Sequence, residues 1–331
     1  MAPRKKPGPQ KEPAATEAPP SRRWEWVSPS AARLVATPPE AGTDTIRRRV
    51  SRAWWPVLAT LSPAVGPWLA ARSYTFGVGR RRAEERNARR IERARPLDLP
   101  ALSSLEITVV LEHEHDPGFL GAAAASYLIR TERGSVLVDV GHGDARHAFE
   151  HNARKLGLTD ADIDVLDVLD VRRVHNALVL DQGVASTGPL ARMLYFHGMV
   201  EEQAVLAHLE GKGLVVLIGP CHPGVESILA LARHLSDEPL YAIGGGLNLP
   251  VTGSRRSAMG VQTQQLFGTG KPPWDRLDEA DLDHAIEVLN RAAPRRLLLS
   301  AHNSCDHALD RLHREVEAET EILRAGATYR L

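Results

Sequence analysis

From residue 105 onward the chain changes texture, and that change limits its fold more than any other feature. Short β-rich runs come first, at 107–111 (ITVVL), 126–130 (SYLIR) and 135–140 (SVLVDV), separated by turn residues. Apolar runs then alternate with helical periods. Residues 213–219 (GLVVLIG), 240–243 and 296–300 (RLLLS) read as buried strands, with helices expected at 225–235, 281–292 and 307–318. An earlier helix is expected at 146–156, where Ala148, Phe149, Ala153 and Leu156 share a face and Gly157 ends the run. Thr159 and Asp162 have the spacing of a capping box. Strands first, then strands alternating with helices, predict a layered α/β domain over 101–331.

Two different segments precede it. Residues 1–52 are rich in Pro, Ala, Lys and Arg without an apolar period, which predicts a disordered basic tail. The opening MAPRKKPGPQKEP is not followed by an apolar run, so no secretory signal is expected. Residues 53–100 predict an arm. Its first part, AWWPVLATLSPAVGPWLA at 53–70, is uncharged, and Pro56, Pro63 and Pro67 are expected to interrupt any helix there. A polar helix is expected at 80–95. Membrane contact through 53–70 is the alternative to an arm packed on the domain, and it is not favoured because a spanning helix needs about 20 unbroken apolar residues.

Charge and cysteine usage exclude several classes. Lys+Arg and Asp+Glu are equal at 41 each, so the chain as a whole offers no electrostatic case for nucleic acid. Two cysteines, Cys221 and Cys305, exclude a disulfide scaffold and a Cys-rich zinc finger, and they fit a reducing, cytoplasmic setting.

Chemistry gathers at strand ends. His142 in DVGHG, His222 in GPCHPG and His302 in SAHNSCD each sit in a turn, where layered α/β folds place ligands. One such histidine is ordinarily structural; several converging from different loops are what a metal site requires. Glu112, His113, Glu114, His115 and Asp116 form a second cluster after the first strand. His113 and His115, two residues apart, point the same way on an extended chain and so form a chelating pair, unless the cluster is simply a polar loop. The GTGK run at 268–271 lacks the Ser/Thr and the helix of a phosphate loop.

One family resemblance is carried by SYLIRT, LVDVG, HNARKLGLTDADID, GVASTGPLARMLYF, EEQAVL, GKGLVVLIGPCHPG, GGGLNLPVTGSR, GTGKPPW and SAHNSCDHAL. From about residue 75 to the C-terminus the chain resembles metallo-β-lactamase-fold proteins of the dihydropterin-ribofuranosyl-aminobenzene phosphate synthase-like branch. The resemblance implies a four-layer αββα sandwich with a site for zinc or another divalent ion at one sheet edge. It implies that Asp139 orients loops and that His222 and His302 bind metal. The family's His-x-His-x-Asp-His signature falls on Asp170, Arg172, Val174 and His175, so only His175 is kept as a ligand. The family's histidine in its "GGLH" turn falls on Asn248, and the aspartate of its "AHD" turn falls on Asn303. His113 and His115 stand in the family's "EH" region and are candidates to rebuild the site. Zinc wants at least three good protein ligands, and amides are poor ones. The expectation is therefore a hydrolase-like protein with an incomplete metal site and weakened or altered activity on an unidentified small molecule. The alternative is an inactive pseudoenzyme acting as a binding or scaffold module.

Overall fold

The structure is a computed structural model that describes residues 55–158, 174–255, 257–258 and 261–331. The tail at 1–52, the Thr159/Asp162 capping box and the signature positions Asp170 and Arg172 lie outside the described residues.

The two sheets implied by the resemblance are present. The smaller is antiparallel and is built from β2 (Leu105–Leu111), β3 (Ser126–Thr131), β4 (Gly134–Val138) and the C-terminal β16 (Thr328–Arg330), in the order β16-β2-β3-β4. The larger has eight strands. Its parallel half runs β10 (Gly213–Ile218), β11 (Leu240–Gly245), β14 (Arg296–Leu299) and β15 (Glu319–Ile322). Its other half holds β9 (Ala204–Leu209), β6 (Val184–Ser186) and β5 (Leu178–Val179), with the two-residue β1 (Ala101–Leu102) beside β9. Two hairpins stand apart, β7 (Leu190–Leu194) with β8 (Gly198–Glu202), and β12 (Ser257–Ala258) with β13 (Val261–Gln262).

Alternation along the strands decides how the sheets stack. Ile107, Val109, Tyr127 and Ile129 of the small sheet share one buried cluster with Ala207, Val215, Leu217 and Leu298 of the large one. Burying each large apolar side chain there contributes about 1.5–3 kcal/mol. The opposite side of β10 (Leu214, Val216, Ile218) is buried as well, so this strand is an unbroken apolar run covered on both faces. The helices joining the parallel strands are α3 (Val225–Leu235), α5 (Glu279–Ala292) and α6 (Asp306–Glu315), each with a buried apolar face. Helix α2 (Arg146–Lys155) packs on β2 through Ala148 and Phe149. The result is the expected αββα sandwich. The short helix α4 (Thr263–Phe267) lies in the loop after β13.

A capping box precedes α5, where Asp278 and Asp281 each accept from the other's backbone N–H. One element differs from the sequence reading. The arm is not broken by proline: α1 (Trp55–Arg93) is one continuous helix of 39 residues with Pro63 and Pro67 inside it. Each proline removes one i→i−4 hydrogen bond. Their spacing of four puts both gaps on one face, and both prolines are exposed, so water can serve the freed carbonyls. Among the described residues no helix is long and apolar enough to cross a membrane. Helix α1 grips the β7–β8 hairpin instead. Phe76 packs with Met193 and Tyr195, and the Asn87 amide donates to and accepts from the Ala191 backbone at 2.8 Å each way.

Candidate active site

Four turns and the tip of the β7–β8 hairpin meet at a cavity of about 550 Å³. Asp139, His142, His222, Asn248, His302 and Asn303 all line it. Each arrives from the C-terminal end of a strand: β4, β10, β11 and β14. Three of these turns hold a non-glycine residue at positive φ, namely Asp139 (62°), Cys221 (59°) and Asn248 (55°). Such strain is uncommon and concentrates where the backbone must aim side chains.

Asp139 organises its turn. Its Oδ1 accepts from the backbone N–H groups of Val140 and Gly141 at 2.7 and 2.8 Å, and its carbonyl accepts from the Ser126 hydroxyl at 2.7 Å. That is the behaviour of a loop-orienting residue.

His222 is held by Glu202 at the end of β8. One Glu202 carboxylate oxygen accepts from the His222 backbone N–H at 2.8 Å and the other meets the imidazole Nδ1. A carboxylate at Nδ1 accepts from Nδ1–H and fixes the orientation of the ring. His302 is set the same way by a different group. The Ser300 hydroxyl donates to the buried Glu112 carboxylate at 2.5 Å and lies 2.5 Å from His302 Nδ1. While Glu112 is ionised, the hydroxyl gives it its one proton and accepts from His302 Nδ1–H, which leaves Nε2 of the neutral ring unprotonated. Glu112 further accepts from Tyr127 at 3.2 Å and from the His113 N–H at 2.9 Å.

Burial governs the titration of this network. It pushes Glu112 up to about 7, against the hydrogen bonds from Ser300, His113 and Tyr127. It pulls His302 down to about 3, helped by the charges of His222, His113 and His142. His113 falls to about 4, by burial first and by Arg255 next. His302 is therefore a neutral imidazole at neutral pH.

The remaining candidates are placed differently. His113 is close enough to His302 to affect its charge, but it does not line the cavity. His115 is exposed, with Nδ1 3.2 Å from the Asp116 carbonyl. His175 is exposed, and its carbonyl accepts from Arg90 at 3.1 Å, beside α1 rather than in the cavity. Asn248 donates to the Gly268 carbonyl at 2.8 Å, and its N–H donates to Asn303 Oδ1 at 3.1 Å. Gln264 Nε2 donates to the Asn303 carbonyl at 2.7 Å, while its buried Oε1 has no partner. Cys221 and Cys305 are free and buried, and burial raises the Cys221 thiol. Glu202, Ser300 and Gln264 were missed from sequence. The EEQAVL match was the one available pointer to Glu202.

Among the described residues, no group of three His, Cys, Asp or Glu side chains is arranged to hold a metal ion. The His222 and His302 imidazoles line the cavity, and the Asn248 and Asn303 amides are engaged with the protein. This donor set does not fit a three-ligand zinc site.

No family model and no curated protein matches the chain. Solved structures do. Tm1679, described as a metal-dependent hydrolase of the beta-lactamase superfamily, is 17% identical with a TM-score of 0.47, covering 68% of this chain and 98% of that one. The metallo-beta-lactamase fold protein YhfI from Bacillus subtilis is 14% identical with a TM-score of 0.40, covering 69% and 100%. Igni18, a metallo hydrolase from Ignicoccus hospitalis, is 12% identical with a TM-score of 0.37, covering 69% and 98%. At these identities and scores the likeness says nothing of substrate or activity.

Proposed function

We propose that the chain is a hydrolase-like protein of the metallo-β-lactamase type whose metal site is incomplete and whose activity is altered accordingly. The observation that carries this reading is the pair His222 and His302. Both line one cavity, and each is fixed at Nδ1 by its own hydrogen-bonding partner. Two oriented imidazoles, of which His302 is neutral at neutral pH, can exchange protons with a bound water or hydroxyl. The cavity is of small-molecule size, and these polar groups line it.

The pseudoenzyme reading is favoured by one observation of its own. Asn248 and Asn303 stand where the family has ligands, and they bond to each other instead. Metal analysis of protein purified without added zinc tests the proposal, together with a melt in chelator. Less than one ion per chain and an unmoved melting midpoint are expected. A stoichiometric ion that is lost on His222→Ala would overturn it. Hydrolysis of an ester and phosphodiester panel then separates the two readings: turnover that disappears in His302→Ala marks an enzyme, and none in the wild type marks a binding module.

A further inference from the structure

A second cavity, of about 460 Å³, lies where α1 ends. Its ionisable lining is Arg86, Arg89, Arg90, Arg93 and Arg95 against the single carboxylate of Glu201. Among the described residues only part of that charge is answered. Arg86 donates to Glu201 at 2.6 Å, and Arg89 lies 3.7 Å from Glu85 in an exposed pair. Arg90 spends one N–H on the His175 carbonyl, and Arg95 one on the Ala94 carbonyl. Arg93 and Arg95 face no carboxylate among the described residues. The negative end of α1 supplies roughly half an elementary charge, far short of the excess. Burial draws the Arg90 guanidinium below its ordinary range; Glu201 opposes the shift and Arg86 adds to it.

The walls are fixed rather than loose. Leu97 N–H donates to the Leu235 carbonyl at 2.8 Å, tying the chain after α1 to the end of α3. Leu97, Leu231 and Leu235 make one side of the cavity apolar. Concave positive sites focus the field on an incoming anion, and guanidinium forks match phosphate oxygens two at a time. The volume is that of a small-molecule site. A nucleic-acid strand would need a longer basic track, and the chain as a whole is neutral.

We propose that this arginine cleft binds a small organic phosphate, its phosphate on the guanidinium groups of Arg90 and Arg93 and its carbon skeleton against the leucines. The inference does not rest on the His222–His302 cavity. Calorimetry on the full chain with pyrophosphate, phenyl phosphate and inorganic phosphate tests it, with sulfate at matched ionic strength as comparator. Pyrophosphate should bind. Phenyl phosphate should bind more tightly than inorganic phosphate because of the apolar wall. Arg90→Gln with Arg93→Gln should weaken pyrophosphate at least tenfold, and the exposed single change Arg93→Gln should weaken it several-fold if the double variant folds poorly. His222→Ala should leave pyrophosphate binding unchanged. Equal affinity for sulfate, undiminished binding by the arginine variants, or binding confined to a DNA oligonucleotide would each overturn the proposal.

Discussion

Glu202 grips His222 at two points, its backbone N–H and its ring Nδ1, across 20 residues of sequence. The carboxylate thereby sets both the turn that carries the imidazole and the tautomer of the ring. Glu202→Ala should destabilise the protein by about 1–3 kcal/mol, because the turn loses a charge-assisted bond and the ring loses its anchor. Urea denaturation at pH 7 measures this, and an unchanged midpoint would show that the contact is dispensable.

Stability should respond to pH through Glu112. The folded protein keeps a proton on this carboxyl up to about pH 7, whereas an exposed glutamate releases it near 4.5. Between those values the folded state binds more protons, so this group's contribution falls as pH rises. The shift corresponds to something on the order of 3 kcal/mol. His302 and His113 act oppositely, since their depressed values make the unfolded chain the better proton binder below about pH 6.5. Comparing Glu112→Gln with the wild type isolates the carboxyl. The variant should gain relative stability from pH 5 to pH 8, and parallel pH curves would contradict the assignment.

Asn152 pins α2 to the small sheet. Its fully buried amide donates to the Val110 and Leu120 carbonyls at 2.9 and 2.8 Å and accepts from the Leu120 N–H at 2.8 Å. Asn152→Ala leaves those backbone groups without partners and should cost about 2–4 kcal/mol in a denaturant melt.

Gly246 leaves room for the site. A Cβ placed there would come within 2.5 Å of Asn303 Nδ2 and 2.6 Å of His302 Cε1. Gly246→Ala should therefore displace His302, shifting its ring signals in a histidine-selective NMR spectrum and lowering stability by about 1–3 kcal/mol. Unmoved signals would show that the turn can yield.

Elements with a strong period were legible in the sequence. Helix α3 occupies the residues expected, and the GLVVLI strand was readable because both of its faces are buried. The β7–β8 hairpin was not foreseen, since GMVEE is largely open to solvent and carries no apolar alternation. In α2 the apolar face was read correctly at Ala148, but Asn152 was overlooked because its burial depends on backbone groups supplied by another segment. The site divides along the same line. His222 and His302 announced themselves through their turns, whereas the Ser300–Glu112 bond spans 188 residues and is made only by folding. The prolines of α1 misled because the cost of a missing hydrogen bond depends on which side of the helix meets water.

The packing of α1 on the hairpin ties the far N-terminal part of the described chain to the chemistry. Phe76 sits against Met193 and Tyr195 of β7 and its turn, and β7 is registered so that Leu190 lies opposite Glu202. Trimming the protein back to its sheets would strip the backing from this ribbon and let its tip drift. An assay on such a shortened form would measure an untethered histidine, and silence there would be mistaken for an inert scaffold.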